Sequence, residues 1–446
     1  MCPFKNIAKA FCFKKCGEKL IIHRIFAVKI FVIRRKFAVN ILYLYRTITV
    51  NMTKYIYQYE NWTDFSWQNA AVSASLGEVR LLQGKILGRM HSFGFSLKEE
   101  KNLETLTFDV LKSSEIEGEK LNYDQVHSSI ARLLGIEAEE LVSSSRNVEG
   151  VVEMMLNATQ DYKSPLTEER LFGWHAALFP TGYSSMYKIK VAQYRSEEIQ
   201  VVSGAIGKEK IHYKAVPPED VKMEMDKFLL WLNDDKIVID GVLKAAIAHF
   251  WFVVIHPFDD GNGRIARAIS DMLLARSENS PERFYSLSKQ IFTERSEYYE
   301  ILKKAQHRND ITEWLVWFLN CLKHALEETE MSMQNILQKA AFWEKHKDVQ
   351  INERQRLMIN KLFDEFDGKL TSSKWAEMTN CSTDTALRDI KDLIEKGILK
   401  QEEAGGRSTN YTLAYEKHEN NDKCSCGLFS CLKATKNLFK RNRKID

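Results

Sequence analysis

The chain of 446 residues has room for about three domains, and 44% hydrophobic with 28% charged residues excludes a disordered or fibrous protein. Its 20 glycines and 7 prolines are about half the usual share, too few breakers for a turn-rich all-β chain, so a mainly α protein is expected. The formal charge of +4 hides an asymmetry: residues 1–51 set eleven Lys/Arg against the single Glu18, and residues 416–446 set eight against four acids, leaving 52–415 at about −10.

From the N-terminus, Phe26 to Arg35 alternates apolar runs with basic residues and is too charged for a signal-peptide core. Residues 1–51 are expected to be a disordered leader or a misassigned start, with a membrane-surface helix as the alternative. No uncharged apolar stretch reaches the ~18 residues of a membrane span, the nearest being Ala245 to Ile255. Six cysteines (Cys2, Cys12, Cys16, Cys424, Cys426, Cys431) lie in the tails, and Cys321 and Cys381 do not make a disulfide framework, so the body reads as soluble and cytoplasmic. The 416–446 tail, with Lys440 to Lys444, is expected to be disordered rather than an acylated anchor or a metal site.

Phe65 to Leu111 has helical spacing (Leu76, Val79, Leu82, Ile86), with Gly77, Gly84, Gly88 and Gly94 as weak points, inside a helical N-terminal module over 52–140. A second module, 141–325, continues with helices begun by Ser143-Ser-Ser and by Ser164-Pro-Leu-Thr167. It is interrupted at 190–215, where Gln200-Val-Val, Gly204, Gly207 and Ile211-His-Tyr predict a β-hairpin. A polar connecting helix follows over 326–345, within a linker to 350. Residues 351–415 show another rhythm: a helix from Arg354 to Phe363, a short one from Ser372, a longer one from Ser382 to Ile394, then strands at Ile398 to Lys400 and Tyr411 to Leu413. This is a winged helix-turn-helix pattern. The longer helix is expected to expose Asp384, Arg388, Asp389, Lys391, Asp392, Glu395 and Lys396, a face without net positive charge, which favours protein interaction over DNA contact.

The densest chemistry is His256-Pro-Phe-Asp-Asp260-Gly-Asn-Gly-Arg264-Ile-Ala-Arg267. Pro257 ends one apolar helix, and the Gly261-Asn262-Gly263 turn opens another whose Ile265, Ile269, Met272 and Leu273 face a core. Helix-start amides, permissive glycines and the two arginines together suit a polyphosphate. Asp260 offers a hard oxygen to an accompanying magnesium, and His256 is placed to take a proton from an attacking hydroxyl. Upstream, Ser114-x-x-Glu117 has the spacing of a capping box.

The His256 to Arg267 stretch resembles, at every position, the HPFx[D/E]GNGRxxR signature of the Fic family. The resemblance implies a Fic-fold helical bundle with a β-hairpin flap and, in one subgroup, a helical N-terminal domain and a C-terminal winged helix. That subgroup's Ser-Lys-Trp-Ala and Gly-Gly-Arg-Ser-Thr patterns stand at 373–376 and 405–409. It implies a protein adenylyltransferase that moves AMP from ATP to a Ser, Thr or Tyr hydroxyl. By the resemblance His256 is the general base, Asp260 the Mg²⁺ ligand, Gly261, Asn262, Gly263 and neighbouring amides the α-phosphate site, and Arg264 and Arg267 the β- and γ-phosphate contacts. The flap (Val201, Val202, Ser203, Gly204) would line the nucleotide and target groove, with Tyr298, Tyr299 and Gln306 near adenine.

Ser113 to Gly118 is similar to the family's [S/T]xxxE[G/N] inhibitory motif, in which Glu117 would pair with Arg267 and deprive the γ-phosphate of a cation. Two alternatives stay open: an AMP-removing or bifunctional Fic enzyme, and a winged-helix DNA-binding regulator carrying a Fic domain. A homodimer also stays open, while DNA contact and membrane contact through the tails are not favoured.

Overall fold

A computed structural model describes residues 54–92, 95–136, 141–203, 210–363, 368–402 and 409–414. The chain divides into two compact units at residue 330. The first holds α1 (Asn69–Ser92), α2 (Phe95–Ile116), α3 (Tyr123–Leu134), α4 (Arg146–Gln160), α5 (Glu168–Leu178), α6 (Pro218–Asn233), α7 (Gly241–Ile255), α8 (Asn262–Glu278), α9 (Leu287–Thr293), α10 (Arg295–Ala305) and the start of α11 (Thr312–Lys345). Two antiparallel hairpins interrupt them: β1 (Tyr183–Ser184) with β2 (Tyr187–Lys188), and β3 (Gln200–Ser203) with β4 (Lys210–Lys214). Among the described residues no helix is long and apolar enough to cross a membrane. The leader 1–51, Gly94, Gly204, the Gly405 to Arg407 turn and the 416–446 tail lie outside the described residues.

Sequence chemistry sets most of the boundaries. Ser145, Thr167 and Asp240 begin α4, α5 and α7 by accepting the amides of Val148, Arg170 and Val242. Gly77, Gly84 and Gly88 do not break α1, because all three lie on its exposed side while Val72, Val79, Ile86 and Met90 are buried. The core is built on α7, whose residues from Val242 to Ile255 are buried except Lys244, packed along α8. Burying so apolar a helix at about 25 cal/mol per Å² is the main term that fixes the bundle.

The polar connecting helix expected over 326–345 is not a separate element: α11 runs unbroken from Thr312 to Lys345, since no breaker interrupts it. The second unit holds α12 (Glu353–Phe363), α13 (Ser372–Met378), α14 (Thr383–Glu395) and the antiparallel pair β5 (Leu399–Gln401) and β6 (Tyr411–Leu413), around Trp375, Ile390 and Leu393. Asp389 does not belong to an exposed face. It is buried, accepting from Arg354 Nε at 2.8 Å and Asn352 Nδ2 at 2.9 Å, because its helix turns that side towards α12. Asp392 is likewise engaged, by Gln355 and Lys396.

Candidate active site

The loop between α7 and α8 is held from several sides. His256 ends α7 in the left-handed region (φ 53°), and Pro257 prevents continuation. The orphan carbonyls at that helix end are met by the buried Arg195: its Nε donates to His256 O at 2.7 Å, its Nη2 to Ile255 O at 3.3 Å, and its amide to Pro257 O at 2.9 Å. On the far side Ala192 N donates to His175 Nδ1 at 3.1 Å, so Nε2 of that ring carries the proton and donates to Asp260 O at 3.2 Å. Asp259 accepts the Lys190 amide at 2.9 Å.

These contacts aim His256. Its Nδ1 lies 3.3 Å from Val253 O, a carbonyl that can only accept, so Nδ1 bears the hydrogen and Nε2 is left as the basic nitrogen. Burial pushes its pKa down to about 4, partly countered by the Val253 contact and by Glu117 and Asp260, so the ring is neutral near pH 7 and competent as a base.

Beneath it, α8 opens from Gly261 (φ 81°), which brings no side chain to cap the first amides. A Cβ there would also stand 2.9 Å from the Phe179 ring. The Asn262 side chain is engaged with the loop itself, accepting from Phe258 N at 3.0 Å and donating to Phe258 O at 2.8 Å. Asn262 therefore shapes the turn, and what it can offer an anion is its backbone amide. Gly263 leaves open the space that a Cβ would fill, 2.1 Å from Glu117 Oε1.

Arg267 is fully buried, donating to Ser113 Oγ and Ser113 O at 2.8 Å each and to Glu117 Oε1 at 2.7 Å, while its Nη1 has no hydrogen-bond partner among the described residues. Arg264 donates to Glu119 Oε2 at 2.7 Å and lies over the Phe179 ring. An unpartnered buried guanidinium nitrogen beside uncapped amides suits an anion with several oxygens.

Ser114 and Glu117 do not form a capping box. They stand at the end of α2, not at a helix start: Gly118 turns the chain at φ 89°, and Gly118 N and Glu119 N return to Glu115 O and Ser114 O.

Asp260 accepts from its neighbour's amide, Gly261 N, at 2.6 Å and from Ser184 Oγ of the β1–β2 hairpin. No group of three or more His, Cys, Asp or Glu side chains placed to hold a metal occurs among the described residues. A single carboxylate beside uncapped helix-start amides and two arginines still fits magnesium, which takes one or two carboxylates and completes its shell with phosphates and water.

The other expected residues are spread more widely. The expected hairpin forms as β3 and β4, with a register shift between Val201 and Val202. Ser203 closes β3, and Tyr213 OH ties β4 to Val254 O at 2.7 Å. Tyr298 is buried in the core with its hydroxyl 2.9 Å from His249 Nε2, whereas Tyr299 is exposed and its OH reaches Ile116 O at 3.5 Å. Gln306 ends α10, and its carbonyl accepts Ile56 N at 2.7 Å. Arg195, His175, Ser184 and Glu119 carry no motif spacing. Only Glu119, two residues beyond Glu117 across a glycine, left a trace in the sequence.

Residues 165–274 match the Fic/DOC family, and residues 55–136 match a domain of unknown function (DUF4172). The chain is similar to the protein adenylyltransferase Fic of Nematostella vectensis, 25% identical over 222 residues, which is 49% of this chain and 47% of that protein. It is similar also to the protein adenylyltransferase Fic of Drosophila melanogaster, 27% identical over 267 residues, 58% of this chain and 50% of that protein. The chain spans about half the length of these curated relatives. Among solved structures, a Fic family protein from Desulfovibrio desulfuricans G20 aligns with a TM-score of 0.43 at 20% identity, covering 77% of this chain and 95% of that one. The stretch from His256 to Arg267 lies inside the 165–274 segment that matches the Fic/DOC family.

Proposed function

We propose that this chain is a protein adenylyltransferase, with ATP as donor and a Ser, Thr or Tyr hydroxyl of a target protein as acceptor. In this reading the first amides of α8 hold the α-phosphate, and Arg264 and Arg267 hold the β- and γ-phosphates. The target hydroxyl attacks the α-phosphorus, the bond from that phosphorus to the β-phosphate's bridging oxygen breaks, and pyrophosphate leaves. His256 Nε2 takes the hydroxyl proton. A Mg²⁺ held by Asp260 would neutralise charge on the phosphates. The β3–β4 hairpin would align the target segment by strand pairing. The single observation that carries the proposal is a neutral His256, with its Nδ1 bonded away, above a cradle containing the buried Arg267 and its unpartnered Nη1.

Glu117, paired with Arg267, would restrain the enzyme by occupying a cation the γ-phosphate requires. Because that carboxylate stands inside the cradle, removal of AMP from a modified target, in place of or beside its addition, is the second reading. The second unit's three helices followed by a strand pair support a winged helix. With Asp389 buried and Lys396 paired to Asp392, the charges that α14 exposes are two acids, Asp384 and Glu395, and two bases, Arg388 and Lys391, a face without net positive charge, so protein interaction is proposed for it over DNA binding. A cytoplasmic location is proposed from the cysteine distribution.

Incubation of the purified protein with ATP labelled at the α- or the γ-phosphate tests the proposal. Label from α-ATP on protein supports it. Label from γ-ATP alone indicates a kinase, and neither label together with tight DNA binding indicates a regulator.

A further inference from the structure

The loop after α2 brings a second acid to the cradle. Gly118 at φ 89° reverses the chain, and Glu119 N returns to Ser114 O at 3.0 Å, so both carboxylates flanking the glycine come to α8. Arg264 and Arg267 are three residues apart and therefore neighbours on one helix face. Each is met by one acid: Arg267 by Glu117 and Arg264 by Glu119, both at 2.7 Å. The Arg264 side chain is only 6% exposed and its guanidinium lies 5.0 Å from the Phe179 ring centroid, so it has little freedom to serve Glu119 and an incoming anion together. Its Nε lacks a hydrogen-bond partner among the described residues, so Glu119 satisfies only part of what the guanidinium can donate.

We infer that Glu119 is a second restraint on the same cradle, withholding Arg264 as Glu117 withholds Arg267, so that full release requires both acids to leave. The Glu119 side chain is 37% exposed and that of Glu117 31%, so both contacts meet water and can be exchanged for a phosphate oxygen. The inference rests on the reading of Arg264 and Arg267 as ATP contacts. An opposite role, in which Glu119 merely orients Arg264 for binding, predicts effects of opposite sign.

The test is the dissociation constant of magnesium α,β-methylene-ATP, which cannot release pyrophosphate, measured by calorimetry on the full chain. Glu119→Gln and Glu119→Ala are each compared with their parent, in wild type and in Glu117→Gly. Glu115→Gln controls for loss of any one negative charge, since Glu115 pairs with Lys112 on its own helix and not with the cradle. Both Glu119 variants should bind roughly 5-fold tighter than their parents, at the low end of site-to-site coupling because the acid is partly solvated. In α-label transfer by Glu117→Gly, adding Glu119→Gln should lower the KM for ATP with little change in kcat. Glu115→Gln should leave both unchanged. Equal or weaker binding by the Glu119 variants, or tightening by Glu115→Gln to the same degree, overturns the inference. If Glu117→Gly binds the analogue and the Glu119 variants do not tighten, only the second restraint fails. If no variant binds it, the nucleotide reading fails as well.

Discussion

The carboxylate of Glu117 occupies the space that Gly263 leaves empty: a Cβ at 263 would lie 2.1 Å from Oε1. The same space borders Arg267 Nη1, 3.3 Å from that Cβ position, so in the proposed reading acid and phosphate would compete for one volume. Gly263→Ala should displace Glu117 and yet give no active enzyme, because the methyl group remains. ATP affinity should fall by at least ~10-fold, the scale of overpacking a tight site, and adding Glu117→Gly should not restore it. Nucleotide binding at wild-type strength by Gly263→Ala would contradict this.

The pH profile should report His256. Burial holds its pKa at about 4, below the ordinary 6.5, and the base acts in its neutral form, so lowering pH removes activity only as that lower value is approached. Transfer by a derestricted Glu117→Gly enzyme should stay nearly flat from pH 7.5 to roughly 5.5 and fall below that. Initial rates of α-label incorporation check this, and a decline centred near 6.5 would place the ring in water.

Much of this site was legible because its chemistry is contiguous: His256, the turn and both arginines occupy one short stretch, and proline and glycines mark its helix boundaries. Ser145, Thr167 and Ser382 marked helix starts for the same local reason. Arg195 was not legible, since its partners are the carbonyls of residues 255 to 257, some 60 positions away, and a carbonyl has no sequence signature. The Ser114 to Glu117 spacing was ambiguous because the same residues serve a helix start or, as here, a helix end. Asp389 was misplaced because a charged residue is assigned to water by default, and only the fold supplies Arg354 and Asn352.

Arg267 and Asp260 should separate under magnesium titration. Arg267→Ala removes a phosphate contact and should depress transfer without moving the magnesium midpoint, whereas Asp260→Ala removes the carboxylate that would hold the ion and should blunt the response. Superimposable magnesium curves for the two variants would contradict the division of roles.

In the second unit, Asp389→Ala should cost about 1–3 kcal/mol, since it strips Arg354 and Asn352 of a buried acceptor. Arg354→Ala should cost less, because loss of the solvated Arg354 leaves Asn352 still donating to Asp389. Hydrogen exchange of the α14 amides in the full chain gives both values. Equal protection in Asp389→Ala and wild type would show that apolar packing alone holds α12 to α14.

The central claim is that His256 transfers AMP from a cradle withheld by Glu117. It is tested most directly by α-label incorporation at equal folded concentration by wild type, Glu117→Gly, and Glu117→Gly combined with His256→Ala. The account predicts a gain of roughly 5- to 150-fold on releasing Arg267, the range of typical coupling energies. It predicts a loss of at least ~10² from that gained rate when the base is removed. A Glu117→Gly rate at or below wild type, or label persisting without His256, would contradict it.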